Sequence, residues 1–275
     1  VDEHAGLPPR PVIGVLHPGA MGAALGAALK PVAGAVIWAA AGRSNATSKR
    51  AELADLVGVP DVAAMAARSH VIVSICPPHA AVDVAEQVAA ALADRSDRPI
   101  YVDANAVSPD TVRRIGTVLG AENVVDGAVI GPPAWEAGHT VLLLSGTHAA
   151  TVAQLFAGSP FEARVLGPDL GSASALKACY AMQSKAMPAV WLAVAEAARG
   201  YGVQDALGDL LARDGVDLAG VLDKLSAQAG PKAWRWVGEM EEAADTVAGV
   251  GVPDGFSRAA AEMYRRMAQD HPADS

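Results

Sequence analysis

The chain is short of several things, and each shortage removes a class of protein. It has 275 residues but only two cysteines, Cys76 and Cys179. They are too few for a disulfide framework, and no metal-ligand spacing surrounds them. The seven histidines, His4, His17, His70, His79, His139, His148 and His271, are scattered and form no metal pattern. Aromatics make up 4% of the chain against 52% hydrophobic residues in all. Alanine carries much of the apolar content, which favours helices packed at close range. Positive charge is scarce: 21 Lys and Arg face 30 Asp and Glu, a net charge of −9. That argues against nucleic acid or an anionic membrane as a general partner, while leaving room for a local basic pocket. The apolar stretch 12–41 is broken by glycines, two prolines and Lys30, so it lacks the roughly 20 uninterrupted apolar residues of a membrane span. Residues 1–10 are acidic and Pro-rich, read as a flexible tail, and carry no signal-peptide pattern. A reducing cytoplasm is the expected compartment. No Gly-x-Ser-x-Gly elbow and no Walker lysine motif is present.

The most informative stretch is 12–29. An apolar run, 12–16, meets a tight turn at His17, Pro18 and Gly19, and an Ala-rich helical pattern opens at Ala20 and continues through Met21 and Gly22. Strand, turn and helix N-terminus together make an anion site, because free backbone N–H groups and the positive end of the helix dipole point the same way. Two glycines of the G-x-G-x-x-G spacing are present, Gly19 and Gly22; His17 stands where the first would be.

Short apolar runs then alternate with helical patterns. Strands are expected at 35–40, 71–76, 100–104, 124–130, 141–145 and, as an edge, 163–166. Helices are expected at 49–56, 62–67, 81–92, 109–119 and 149–156, with 57–60 as a connection. Runs such as Val-Ile-Val-Ser-Ile show no alternation, as in parallel strands covered on both faces. After Leu166 the strand pattern stops. From 172 to 199 only Pro188 interrupts what reads as one long helix, about 40 Å at 1.5 Å per residue. Further helices are expected at 203–213, 218–227, 234–248 and 256–269. The fold class is therefore α/β: a Rossmann-like doubly wound sheet over 11–166, followed by an all-α domain over 167–275 with a long helix between them.

The loop after the second strand selects between dinucleotides. NAD-specific folds end that strand in an acid that bonds the ribose 2′-hydroxyl. Here it ends without one and continues Arg43-Ser44-Asn45-Ala46-Thr47-Ser48-Lys49-Arg50. An Arg beside a Ser, with more cations a turn later, suits a 2′-phosphate and hence NADP(H). The plainer alternative is a solvated basic loop with Ser48 as a helix N-cap.

These motifs resemble the β-hydroxyacid dehydrogenase superfamily, which includes 3-hydroxyisobutyrate and 6-phosphogluconate dehydrogenases and, more distantly, imine reductases. The resemblance rests on five stretches in order: 13–22, with Met21 before Gly22; Gly42-Arg43-Ser44; Val102 to Pro109 with Asn105; Asp126 to Pro133; and the Gly-rich approach 167–177 to the long helix. It implies cofactor contacts from His17, Pro18, Gly19, Ala20, Met21, Gly22, Arg43, Ser44, Cys76, Pro77 and Asn105. It implies substrate contacts around Asp126, Ile130, Gly131 and Pro132, and a homodimer formed through helix 172–199. The partner is then a small-molecule substrate.

Lys177 is the expected general acid/base. It lies in an otherwise apolar stretch, and desolvation makes a lysine useful for proton transfer; the alternative is a lysine snorkelling at a helix edge. The family's Asn, one turn later, is Ala181 here. At roughly 100° per residue Tyr180 and Ser184 lie near the Lys177 face and can replace its hydrogen bond. Tyr180 is a second candidate proton donor, or packs. Gln183 and Lys185 lie further round. Ile130 stands where small-hydroxyacid dehydrogenases often carry a carboxylate-binding Ser, so the pocket reads as more apolar, with Trp135 adding bulk. Trp234 and Trp236 read as pocket wall or core. The run Glu239-Met240-Glu241-Glu242, where relatives place a Lys-Asp pair, reads as a solvated helix face, with Glu239 facing a cationic substrate as the alternative. The expected activity is NADP(H)-dependent hydride transfer at a carbonyl or hydroxyl carbon. Reduction of C=N bonds, and a catalytically silent NADP-binding protein, are the competing readings.

Overall fold

The structure is a computed structural model, and it describes residues 6–270. Most of the expected tail, with His4, and the last residues, with His271, lie outside that span. Within it, Leu7 packs against the core and the Arg10 guanidinium donates to the Ala33 carbonyl at 2.8 Å, so the chain is tied down before the first strand.

Eight strands form one sheet in the order β3-β2-β1-β4-β5-β6-β7-β8. They are β1 (Val12–Val15), β2 (Ala35–Ala39), β3 (Val57–Val59), β4 (Val71–Ser74), β5 (Ile100–Asp103), β6 (Val124–Ile130), β7 (Val141–Ser145) and β8 (Glu162–Gly167). All neighbours pair in parallel except β6 with β7. Six helices connect them: α1 (Ala20–Leu29), α2 (Asn45–Leu53), α3 (Val62–Ala66), α4 (Ala81–Ala91), α5 (Pro109–Leu119) and α6 (Ala149–Leu155). Val71, Val73, Ile100 and Val102 point into one core with α1 and α6, while Ile72 and Tyr101 point into another with α3, α4 and α5. Both faces are covered, which is why these strands show no polar alternation.

Two elements differ from expectation here. The stretch expected to be a connection, 57–60, contains β3, a three-residue edge strand with exposed Val57, too short to show a pattern. The second helix begins at Asn45, four positions early. Its N-cap is Ser44, whose hydroxyl accepts the Thr47 N–H at 3.2 Å, rather than Ser48.

The second unit is all helical among the described residues. The expected single helix 172–199 is α7 (Ser172–Ala181), a π-helical turn Met182–Ala186, and α8 (Met187–Gly200). Pro188 explains the interruption: it has no N–H to donate, and its ring crowds the carbonyl four residues back, so the ladder widens for one turn. The Tyr264 hydroxyl donates to the Lys185 carbonyl there, at 2.7 Å. Then come α9 (Gln204–Arg213), α10 (Leu218–Ala229), α11 (Ala233–Ala248) and α12 (Gly255–Asp270). Their shared core holds Leu225, Ala229, Met240, Ala243, Ala260 and Tyr264. The chain forms two compact units, residues 6–177 and 178–270 of those described. Among the described residues no helix is long and apolar enough to cross a membrane.

Candidate functional site

The carboxyl ends of β1, β2 and β4 bring together His17, Arg43 and Cys76. Gly22 faces the turn so closely that a Cβ there would lie 2.1 Å from the His17 carbonyl oxygen. The chain can therefore turn from β1 into α1 only with glycine at this position. Gly19 is the N-cap of α1, and among the described residues no side chain caps it. The first-turn N–H groups of Ala20, Met21 and Gly22 remain available for an anion.

His17 is half-buried. Burial, then the charge of Arg43, depress its pKa to about 4, so the imidazole is neutral at pH 7. Among the described residues, neither His17 Nδ1 nor Arg43 Nε has a hydrogen-bond partner, although both atoms are buried. Buried polar atoms without partners are uncommon, and a bound polar group would satisfy these two. The Cys76 thiol is pushed up to about 11, by burial first and then by Asp103. It is an inert thiol at neutral pH, not a nucleophile. Its backbone N–H donates to Asn105 Oδ1 at 2.5 Å. Asn105 is almost wholly buried, and its amide also donates to Asp103 Oδ1 and to Ser74 Oγ. Pro77 is exposed beside it, and Ser44 serves α2 as its cap.

The next part of the edge escaped the sequence reading. Strand register puts Ser74 opposite Asp103, Asp103 opposite Asp126, and Asp126 opposite Ser145. Four polar residues on four adjacent strands thus form one row on one face, and all four have no exposed surface. Asp126 is fully engaged: Ser174 donates its hydroxyl to Oδ1 at 2.7 Å and its N–H to Oδ2 at 2.9 Å, and Ser145 Oγ donates to Oδ2 at 3.2 Å. Ser145 Oγ in turn accepts the Ala173 N–H at 3.1 Å. The row therefore holds the first turn of α7. Burial raises both carboxyl groups, and the Asp126 charge raises Asp103 further, to about 7, against the opposing pull of Lys177.

Residues 198–267 match the family described as a domain of unknown function, DUF1932. A protein of Methanothermus fervidus, described as an uncharacterized 28.5 kDa protein in the 7S RNA 5′ region, is 31% identical over 172 residues. The match covers 62% of this chain and spans 64% of the length of that relative. Among solved structures, a conserved hypothetical protein from Sinorhizobium meliloti is 25% identical, with TM-score 0.70 over 96% of this chain and 91% of its own. The Mycobacterium tuberculosis 3-hydroxyisobutyrate dehydrogenase with L-serine is 20% identical, with TM-score 0.66 over 95% of each chain. A reductive aminase from Aspergillus terreus, in complex with NADPH, cyclohexanone and allyl amine, is 19% identical, with TM-score 0.54 over 96% of each. The chain has a 3-hydroxyacid dehydrogenase-like fold.

Within this dehydrogenase-like fold the remaining candidates are placed as follows. Lys177 closes the first unit, partly buried. Ile130 is half-buried at the end of β6. Gly131 follows at φ +128°, where a Cβ would lie 2.6 Å from Thr140 Oγ1. Pro132 is exposed, and its carbonyl accepts the Thr140 hydroxyl at 2.7 Å. In the second unit Tyr180 and Trp234 are about half exposed, and Ser184 donates to the Tyr180 carbonyl at 2.9 Å. Ser184, Lys185, Gln228, Lys232 and Trp236 line a cavity of about 480 Å³. Glu239 is not on a solvated face as expected: it forms an ion pair with Lys185, both side chains largely enclosed, because α11 turns this position toward the π-helical segment. Lys185 also lies over the Trp236 ring, 5.4 Å from its centroid. Among the described residues no cluster of His, Cys, Asp and Glu is placed to hold a metal.

Proposed function

We propose that the chain is an NADP(H)-dependent oxidoreductase of the β-hydroxyacid dehydrogenase type, with Lys177 as general acid/base. The observation that carries this reading is the pair of buried, partnerless nitrogens of His17 and Arg43 beside the uncapped N-terminus of α1. Donors without acceptors fit the phosphates of a dinucleotide, and Arg43, one strand over, fits a 2′-phosphate. Pro18, Gly19, Ala20, Met21 and Gly22 would hold the pyrophosphate, with Ser44, Cys76, Pro77 and Asn105 around the rest of the nucleotide. Bound there, the nicotinamide supplies or accepts the hydride.

The chain's own residues do the remainder. Lys177 Nζ gives a proton to the substrate oxygen as the carbonyl is reduced, or takes it in the reverse direction. Ile130, Gly131 and Pro132 supply an apolar substrate wall, and Tyr180, Ser184 and Trp234 are the second unit's candidates. A dimer through helix 172–199, in a reducing cytoplasm, completes the reading.

The decisive experiment is consumption of NADPH with a panel of oxo acids and cyclic imines, read by loss of the reduced-nicotinamide absorbance. Lys177→Ala is expected to lower kcat by about 10²–10⁴. Tight NADPH binding without turnover on any substrate, and no effect of Lys177→Ala, would leave a silent nucleotide-binding protein instead. A second reading, reduction of C=N bonds, is favoured by Ile130 and Ala181, neither of which can hydrogen-bond through its side chain. It predicts turnover of the imines alone, with Tyr180→Phe or Lys177→Ala slowing it.

A further inference from the structure

The row Ser74–Asp103–Asp126–Ser145 has no part in the nucleotide reading, yet it is the most enclosed polar feature of the first unit. Its two carboxyl groups stand side by side on adjacent parallel strands, where both cannot be anionic without strong repulsion. Their surroundings separate them. Asp126 receives two hydroxyl donors and one backbone N–H, which favours its anion. Asp103 receives Asn105 on Oδ1, and among the described residues its buried Oδ2 has no partner. Asp103 is therefore the one to carry a proton when only one is held. Ser174, bound to Asp126, lies three residues before Lys177, so the two share one face of α7. Asp103 is the register neighbour of Asp126, the residue that bonds Ser174 on the Lys177 face of α7, and the Lys177 charge acts to lower the Asp103 pKa.

We propose that Asp126 and Asp103 are positioning residues for Lys177: Asp126 pins the first turn of the helix that carries it, and Asp103, in its ionised form, is a counter-charge that sets how readily its amine holds a proton. The proposal rests on Lys177 being the acid/base of the reading above. The groups acting on Asp103 are Asp126 from β6, Lys177 from α7 and Asn105 from the segment after β5, and Asp103 itself acts on Tyr101 and Cys76.

The test needs neither substrate nor nucleotide. Lys177 is titrated in the full chain by pH-dependent acetylation with acetic anhydride, quantified at that residue by mass spectrometry. Asp103→Asn is expected to move its midpoint down by about one pH unit, a tenfold gain in labelling at a fixed pH below it; Asp103→Ser serves if the amide variant does not fold. Ser174→Ala is expected to speed amide hydrogen exchange over 172–177 about tenfold, because it removes one of the bonds to Asp126. A Lys177 midpoint within about 0.3 unit of wild type in the folded Asp103 variant overturns the proposal, as does unchanged exchange in Ser174→Ala. A shifted midpoint in a protein that turns over no substrate upholds the pair while the oxidoreductase reading fails. Turnover with an unmoved midpoint does the reverse.

Discussion

At the ends of β1 and β2 the protein holds buried polar atoms without partners; further along the same sheet, Asp126 of β6 is an acceptor already supplied with donors. His17 Nδ1 and Arg43 Nε are buried and have no partner among the described residues, while Asp126 takes three hydrogen bonds from Ser145 and Ser174. Both groups sit on the same edge of the same sheet, and a sequence scan for polar residues near strand ends would rank them alike. Burial without partners is costly and persists where a ligand completes the site; burial with partners is a structural joint. The first end reads as a place to bind, the second as the mounting for α7.

The largest effect is expected at Gly22. Gly22→Ala places a Cβ against the His17 carbonyl, backbone against side chain with nothing flexible to yield. Loss of all measurable dinucleotide binding is expected, with a lowered melting temperature; retained binding in calorimetry would show that the turn is not the site. On the other end, Asp126→Ala leaves the Ser174 N–H and two hydroxyls without their acceptor. A loss of about 3 kcal/mol in denaturant unfolding of the first unit is expected, and a loss below about 0.5 kcal/mol would demote the joint to ordinary surface chemistry.

A smaller effect, at Asp103, depends on pH. The Asp103 carboxyl moves from 3.8 to about 7 on folding. The folded state thus holds a proton that the unfolded chain releases above about pH 4. The resulting stability is present below that pH and is lost as pH rises through about 7. Asp103→Asn removes the buried charge, so the variant should gain at least about 1 kcal/mol over wild type at pH 8, some 2–4 °C in melting temperature. The gain should shrink toward pH 4. A gain independent of pH would mean that Asp103 does not titrate in this range.

Much of the fold was legible because it rests on local signals. The apolar runs and the loss of strands beyond the edge strand near Leu166 survive in the structure. So does the order of the loops at the carboxyl ends of the strands, since each follows its own strand. What was not legible depends on pairing between distant strands. Asp103 and Asp126 each stand within or at the end of an apolar run, Ile-Tyr-Val-Asp and Val-Val-Asp, and that repeated placement was the available hint. Only the register reveals them as neighbours. The π-helical turn and the Lys185–Glu239 ion pair escaped for a similar reason: a uniform helical wheel cannot anticipate a turn widened at Pro188. Ser44 and Ser48 are both plausible caps in sequence, and the backbone chose the earlier one.

Whether the partnerless His17 and Arg43 nitrogens at the ends of β1 and β2 bind NADP(H) is decided by calorimetric titration of NADPH and NADH into wild type and Arg43→Ala. Wild type should bind NADPH at least about tenfold more tightly than NADH, and Arg43→Ala should weaken NADPH by about 10–100-fold while leaving NADH little changed. Equal affinities in wild type, or an Arg43→Ala variant that keeps its preference for NADPH, would contradict that binding.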